Sequence, residues 1–311
     1  MDSLPVETCT HIFLLACTDG GATGCALSQT CRYFRAAVLP VQLHSVALIG
    51  GDKCRTLLDV LENRLPEHRR VEHLFISQQD GNPVSFDAVV QERLLTLVAP
   101  TLRTFTSTLP QKILLLDRSS VLAHAMPMLE ELTMHGYLVT DMQCAPGVRL
   151  HALPALRRLH LLSAANAALV LVPHAPRLAA LRISGAWSFA DALAAALLRC
   201  VQGDSAASPA PDAPRAALRL PPTLARVVLA PDWTVARAYY GSHRETAGMY
   251  RRLQAADRRG VLTLLEPPRA PGDARGEWEE RIGGGDGCWG GARAQGVAQH
   301  AGRARRRPVE V

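Results

Sequence analysis

A short apolar template, Leu-x-x-Leu-x-Leu, recurs along the middle of the chain, and proline often stands two residues before it. Its last three positions alternate apolar, polar, apolar, which predicts a short β-strand with one buried side. Successive copies begin 22 to 31 residues apart, except for a last interval of 46 residues. The copies place their three main positions at Leu43/Val46/Leu48, Val71/Leu74/Ile76, Leu102/Phe105/Ser107, Leu129/Leu132/Met134, Leu156/Leu159/Leu161, Leu178/Leu181/Ile183 and Leu224/Val227/Leu229. A further apolar run, Val261–Leu265, predicts one more buried strand.

Between the copies, apolar residues recur at helical spacing in Cys54–Leu65, Phe86–Val98 and Ala192–Leu198. Ser85 or Asp87 is placed to cap the second of these helices, because either side-chain oxygen can accept a hydrogen bond from a free backbone N–H. Strand and helix therefore alternate. Each such unit must stack on its neighbours, since one unit alone cannot bury its apolar side.

The first forty residues follow a helical pattern instead. Pro5 and Glu7 suit the start of a helix, where an N–H is dispensable and a negative charge is favourable. Apolar side chains then share one helical face: Cys9, Ile12, Phe13 and Ala16. The turn Asp19-Gly20-Gly21 ends this helix, and a second helical pattern runs from Cys25 to Leu39.

At these residues the N-terminal stretch resembles the F-box, the helical module that joins cullin–RING ubiquitin ligase receptors to a Skp-type adaptor. The matching positions are Leu4-Pro5-x-Glu7, Ile12-Phe13 and Leu27-Ser28-x-x-Cys31-Arg32-x-Phe34-Arg35. The stretch departs from that pattern at Thr8, at Thr10 and in the glycine-rich linker 18–23. The resemblance implies that the adaptor contacts Leu4, Pro5, Glu7, Ile12, Phe13, Leu27, Ser28, Arg32 and Phe34. The alternative is an unrelated helical hairpin that caps a larger domain.

The repeated template, in turn, resembles the degenerate leucine-rich repeats that often follow an F-box. This resemblance implies an irregular solenoid whose strands present their outward side chains to a target protein. The outward candidates are Phe75, Thr106, Glu131, Thr133, Arg158, His160 and Arg182. The alternative is an ordinary α/β or α+β domain in which the template recurs by coincidence.

Composition favours a globular protein of the cell interior. Apolar residues make up 48% of the chain, mean hydropathy is +0.05, and no apolar run has the ~18–20 residues of a membrane helix. Met1-Asp2 and the short run Ile12–Cys17 do not form a signal peptide. Eight cysteines without a C-x-x-C pair indicate free thiols in a reducing compartment and no metal site. No cofactor is expected.

A net charge of +6 does not by itself indicate nucleic acid binding. Only two of the 34 basic residues are lysines, Lys53 and Lys112, and the arginine cluster 303–307 has no aromatic partner for base stacking. Nucleic acid is therefore an unlikely partner on sequence grounds. Gly285–Gly290 fits G-x-G-x-x-G but neither follows a strand nor opens a helix, so it does not predict a nucleotide site. No catalytic constellation is recognisable.

These observations predict an α/β repeat fold: an N-terminal three-helix F-box followed by an irregular leucine-rich-repeat-like solenoid and a disordered C-terminal tail. The expected divisions are residues 1–45 for the F-box, 46–266 for the target-binding region with a flexible insert at about 203–217, and 267–311 for an Arg/Gly-rich tail.

The predicted function is the non-catalytic substrate-recognition subunit of an SCF-type cullin–RING ligase, located in the cytoplasm or the nucleus. It would bind the Skp-type adaptor through the first helices and a target protein through the strands. The alternatives are a leucine-rich-repeat interaction scaffold with no ubiquitin role, and an α/β enzyme, which would require a deep pocket lined by convergent polar groups.

Overall fold

The structure is a computed structural model that describes residues 4–77, 87–108, 123–135, 151–163, 165–186, 191–203, 218–231, 243–265 and 273–292. Eight β-strands lie within these ranges: β1 Ser45–Ile49, β2 His73–Ser77, β3 Thr104–Ser107, β4 Glu131–His135, β5 Arg158–Leu162, β6 Ala180–Ala186, β7 Arg226–Pro231 and β8 Leu262–Leu264. The strands predicted from the seven template copies and from Val261–Leu265 are therefore confirmed, although β8 is half-buried and not buried as expected.

Nine α-helices are found in the same ranges. They are α1 Val6–Ala16, α2 Ala22–Thr30, α3 Arg32–Val38, α4 Gly51–Glu62, α5 Ala88–Val98, α6 Ala168–Leu171, α7 Asp191–Gln202, α8 His243–Ala256 and α9 Ala274–Ile282. Of the two predicted caps of α5, Asp87 is the one found, because its carboxylate accepts the Val89 N–H at 2.9 Å. In the part of the chain described, no helix has the length and apolar character that crossing a membrane requires.

The strands form one sheet in chain order, β1 to β8, and each neighbouring pair is parallel. The register is regular, since each template position lies beside the same position of the next copy. A parallel sheet of this kind needs a crossover between successive strands, and α4, α5, α6, α7 and α8 lie in those connections.

The core lies between the sheet and these connecting helices. Two rows of side chains cross the sheet on this side, and they belong to the second and third positions of the template. One buried cluster contains both rows together with residues of α4, α5, α6, α7 and α8. Ser107 is the polar exception in its row and is buried without a hydrogen-bond partner for Oγ among the described residues. Each fully buried leucine contributes about 1.5–3 kcal/mol of transfer free energy.

A repeated backbone interaction aligns the strand entrances. The His44 carbonyl oxygen accepts hydrogen bonds from the N–H groups of both Glu72 and His73, each at 3.0 Å. The same two-donor arrangement recurs at the entrances of β3 to β7, where the accepting carbonyls belong to Glu72, Arg103, Glu130, Arg157 and Ala179. These bonds hold each strand in register with the one before it, because they leave no freedom to slip by one residue.

The first three helices are joined to the outer edge of β1. The buried Ser45 hydroxyl donates to the Cys17 carbonyl at 2.7 Å and accepts from the Gly20 N–H at 3.1 Å. The Ala47 N–H then donates to the Gly20 carbonyl at 3.0 Å. An open strand edge is prone to pairing with another chain, and here the glycine turn covers part of that edge.

The predicted fold class is wrong. The chain is not a three-helix F-box followed by an irregular leucine-rich-repeat-like solenoid; it has a single eight-stranded, all-parallel sheet with interspersed helices. The α/β alternative describes this arrangement. The apolar template shows which residues face the core but does not show how strands join, and the helices do not stand apart because Ser45 and Gly20 bind them to β1. The boundaries near residues 45 and 266 remain predictions, and nearly all of the predicted insert lies outside the described residues.

The predicted disorder of the C-terminal tail is wrong for residues 273–292. Asp273 caps α9 by accepting the Gly276 N–H at 2.9 Å, and a 3₁₀ turn follows at Gly287–Ala292. Low apolar content predicted disorder, but Trp278 and Trp289 supply the burial that orders the segment. Residues 293–311, with the arginine cluster, lie outside the described chain.

Substituting alanine for Gly20 tests the junction between the helices and β1. Gly20 has φ +76°, and an added Cβ would lie 2.7 Å from the Ala47 Cβ. We expect Gly20→Ala to lower the free energy of unfolding by about 1–3 kcal/mol, because a left-handed backbone and a steric clash both oppose the side chain. Urea unfolding followed by circular dichroism measures this change.

Gly248→Ala is the matched control. Gly248 lies within α8, and no atom would come within 4 Å of its added Cβ. We expect this variant to gain about 0.5–1 kcal/mol from improved helix propensity. Equal stability of Gly20→Ala and the wild type would show that the glycine turn is not a tight junction.

Candidate functional site

The side of the sheet opposite the core carries a surface of mainly polar side chains, which we call the outer face. Its central row runs in register across five strands through Phe75, Thr106, Thr133, His160 and Arg182. A second row lies at the strand entrances and runs through His73, Thr104, Glu131, Arg158, Ala180 and Arg226. Parallel register thus brings together side chains that are more than a hundred residues apart in sequence.

All seven residues predicted to bind a target lie on the outer face. The structure therefore brings the predicted set together, and target binding itself stays a prediction. Their exposure differs from the expectation, however, because Phe75, Thr106, Glu131, Thr133 and His160 are buried. They are covered by residues 273–292, which we call the covering segment.

Glu131 is the centre of the contact between the outer face and the covering segment. Its carboxylate accepts hydrogen bonds from the Trp289 Nε1 and Arg281 Nε groups, each at 2.9 Å. Arg158, the neighbour of Glu131 in the same row, donates from Nη1 at 3.2 Å. Glu131 is 7% exposed, so these three donors replace the hydration that burial removes from the carboxylate.

His160 is buried beside Trp289, with ring centroids 6.3 Å apart. Its Nε2 lies 2.9 Å from the Ser184 Oγ, and that oxygen also accepts from the Arg182 Nε at 3.0 Å. The serine hydroxyl thus joins His160 to Arg182, whereas the other imidazole nitrogen, Nδ1, is buried without a hydrogen-bond partner among the described residues. Burial lowers the pKa of His160 well below its usual range, so the ring is neutral.

A cavity of about 30 Å³ remains between the outer face and the covering segment. Side chains of both surfaces line it, including those of Thr106, Thr133, Glu277 and Cys288. Its volume suits a single water molecule and not an organic substrate. Burial raises the pKa of the Cys288 thiol to about 12, so this sulfur is protonated at neutral pH and is a poor nucleophile. This cavity does not provide the deep pocket that the enzyme alternative requires.

A second polar cluster lies at the entrances of β1 to β3. The atoms of His44, Glu72 and His73 that could bind a metal lie within 4.8 Å of one another. Glu72, however, forms ion pairs with Arg70 at 2.7 Å and with Arg103 at 2.8 Å. These guanidinium groups already neutralise the carboxylate and repel a cation, so we interpret the cluster as an ion-pair hub. Hydrogen bonding with His44, together with both arginines, lowers the pKa of Glu72 to about 2 despite its burial.

The residues predicted to bind the adaptor divide into a supporting set and an exposed set. Phe13 is buried, and Leu27 and Phe34 pack against the same small cluster. Leu4, Pro5, Glu7, Ile12 and Arg32 are exposed, and Ser28 is half-buried. Pro5 is the N-cap residue of α1, one position earlier than its helical pattern predicts.

Sequence reasoning missed the residues that the covering segment contributes. Trp278, Arg281 and Trp289 lie in a stretch whose composition predicted disorder, and Arg226, which donates to the Trp289 carbonyl at 3.0 Å, was not among the candidates. The available signal was the pair of tryptophans, since large aromatic residues in an otherwise polar stretch usually have a buried contact.

Comparison of the chain with protein families and with curated proteins gave no match. Functional inference for this chain therefore rests on its residues and on the geometry of the outer face and the first helices.

The outer face should make folding stability depend on pH. Burial lowers the pKa of His73 from 6.5 to about 4, so the unfolded chain binds a proton that the folded chain does not. Stability should therefore fall as the pH drops from 6.5 towards 4. We expect the free energy of unfolding of His73→Asn to fall by about 2 kcal/mol less than that of the wild type between pH 7 and pH 4.5. Asparagine can still form a hydrogen bond with the Thr104 hydroxyl, which lies 2.9 Å from His73 Nδ1.

Chemical unfolding at a series of pH values measures this difference. The exposed His151, which lies outside the strands, provides the control variant His151→Asn for the removal of one histidine. Identical slopes for His73→Asn and the wild type would contradict the assignment of a buried, neutral imidazole to His73.

Proposed function

We propose that this chain is the substrate-recognition subunit of an SCF-type cullin–RING ubiquitin ligase. Its first three helices bind a Skp-type adaptor, and the outer face of its sheet holds a target protein. In this role the chain performs no chemistry itself; it brings a target close to the ubiquitin-transfer machinery of its partners.

The observation that carries the proposal is an apolar surface left exposed on the first helix. Ile12 is 49% exposed and Leu15 is 68% exposed, and Leu4 and Val6 at the start of the helix are also exposed. Exposed aliphatic side chains gathered on one short helix favour a docking surface, because burying them against a partner releases free energy that the isolated chain does not gain.

The exposed residues rest on a firm support. Phe13 packs edge-on against Phe34 with ring centroids 5.2 Å apart, and the Tyr33 hydroxyl donates to the Leu4 carbonyl. The Thr10 hydroxyl is 2.9 Å from the Ala37 carbonyl, which links α1 to α3. A preorganised surface loses little conformational entropy on binding, so its contacts contribute more of their energy to affinity.

The small cluster beneath this surface is separate from the main core. It contains Cys9, Phe13, Cys17, Ala37 and Val38, and none of these residues belongs to the large cluster beneath the sheet. The first helices therefore have their own packing and can present Ile12 and Leu15 without using them as core. A helix that lays such residues into a partner's groove is a recurrent mode of protein recognition.

A location in the cytoplasm or the nucleus fits the cysteine chemistry. All cysteines among the described residues are free, and those most accessible are Cys25 and Cys31. Exposed free thiols are compatible with a reducing compartment, where a ubiquitin ligase receptor would work.

Substitutions on the exposed face of α1 test the adaptor interaction in the full-length chain. We expect Ile12→Gln and Leu15→Gln each to weaken binding of a purified Skp-type adaptor at least tenfold, because each removes an apolar side chain that the adaptor would bury. Glutamine is a good helix former, so α1 should persist. Isothermal titration calorimetry measures the affinity, and circular dichroism checks the fold.

Val89→Gln is the control, because Val89 is equally apolar and exposed but lies on α5, away from the first helices. This variant should bind the adaptor with the affinity of the wild type. Its complex with the adaptor should also bind a cullin–RING partner. A well-folded full-length chain that binds no Skp-type adaptor would refute the ligase role and would favour the interaction scaffold.

A further inference from the structure

The outer face is covered by the chain itself, although its composition is that of an exposed surface. Thr104, Thr106, Glu131, Thr133 and His160 all contact the space beneath the covering segment. Side chains of this kind are costly to bury without partners and are unusual choices for a structural core. The covering segment therefore lies on a surface whose polar groups are suited to binding.

The covering segment lies outside the main core. Neither Trp278 nor Trp289 belongs to the large apolar cluster, although each is only 4% exposed. Of the side chains described in the segment, these two alone are buried, and the others are half-buried or exposed. The segment is thus held by two aromatic anchors and a few polar contacts.

The anchors contact the outer face at separate points. Trp278 packs against Phe75 with ring centroids 5.6 Å apart. Trp289 lies near His160 and donates its indole N–H to Glu131, and Arg281 donates to the second oxygen of the same carboxylate. One carboxylate therefore recognises an arginine and a tryptophan that are presented together.

The contact between the covering segment and the outer face leaves one polar group without a partner. The indole N–H of Trp278 is buried and has no hydrogen-bond partner among the described residues. An unpaired buried donor weakens the docked arrangement, so a ligand that satisfies or avoids this position can compete with the covering segment.

We propose that the outer face is a binding surface for a helical peptide segment that presents an arginine and a tryptophan to Glu131, and that residues 273–292 occupy this surface in cis until a target displaces them. The occupant is a protein segment with the aromatic and basic chemistry of the covering segment. This inference rests on the proposed target-holding role of the outer face and does not depend on the adaptor.

Occupancy in cis reduces the apparent affinity for a target. The apparent dissociation constant equals the intrinsic constant divided by the fraction of molecules with an open face. If the segment is docked in about 90–99% of molecules, a target binds about 10- to 100-fold more weakly than it does to an open face. Weakening the cis contacts should therefore strengthen binding in trans.

A fluorescein-labelled synthetic peptide of residues 273–292, added to full-length chains, tests the proposal by fluorescence anisotropy. The opening variant Trp278→Ala/Trp289→Ala removes both cis anchors. We expect it to bind the peptide at least tenfold more tightly than the wild type does. Adding Glu131→Gln to the opening variant should remove most of this gain, because glutamine cannot accept both charge-assisted bonds.

Arg281→Gln provides a second opening variant that retains both tryptophans, and we expect an intermediate gain. Thermal unfolding accompanies each measurement. The proposal is overturned if variants that still unfold cooperatively bind the peptide no better than the wild type. It is equally overturned if both opening variants lose their cooperative transition, since the segment would then be part of the core. The assay contains no adaptor, so neither result bears on adaptor binding.

Discussion

Alternation of side chains across parallel strands in exact register is the constraint on which this structure depends. Each of the first seven strands places its template residues towards the core, so the residue between them must point the other way. Because the template positions stay in register from strand to strand, these intervening residues stack into continuous rows. The two-donor carbonyls at the strand entrances, beginning with His44, maintain that register from β1 to β7. The outer face is thus a direct consequence of how the core is built.

The sequence was sufficient to predict the strands and seven of the residues on the outer face. Each template copy indicates which side of a strand is buried against the core. The polar residue within the copy, such as Thr133 or His160, must therefore face the opposite side of the sheet. Prediction failed where a contact has no local pattern. Glu131 and Arg281 are 150 residues apart, and no periodicity around Arg281 indicates that it lies against a sheet. Composition alone then predicted disorder.

The junction between the first helices and the sheet was missed for a related reason. The sequence pattern predicts that Gly20 lies in the break between two helices, and the structure confirms this. The Gly20 backbone also forms hydrogen bonds with the Ser45 hydroxyl and the Ala47 N–H. Glycine in a sequence indicates that the backbone can adopt unusual conformations, but it does not indicate which neighbouring strand the backbone contacts. The single parallel sheet was likewise hidden, because apolar periodicity within a segment is the same whether strands belong to one sheet or to several.

Glu131 determines which partner can replace the covering segment. When the segment leaves, the carboxylate keeps Arg158 and loses the donors from Arg281 and Trp289. An aliphatic ligand could cover the neighbouring aromatic rings, but it would leave this carboxylate desolvated and short of donors, at a cost of about 1–3 kcal/mol or more. A ligand with its own arginine and indole avoids that cost. The buried carboxylate therefore disfavours most apolar partners. Specificity arises both from the hydrogen bonds it forms with a matching ligand and from the desolvation cost it imposes on a ligand without donors.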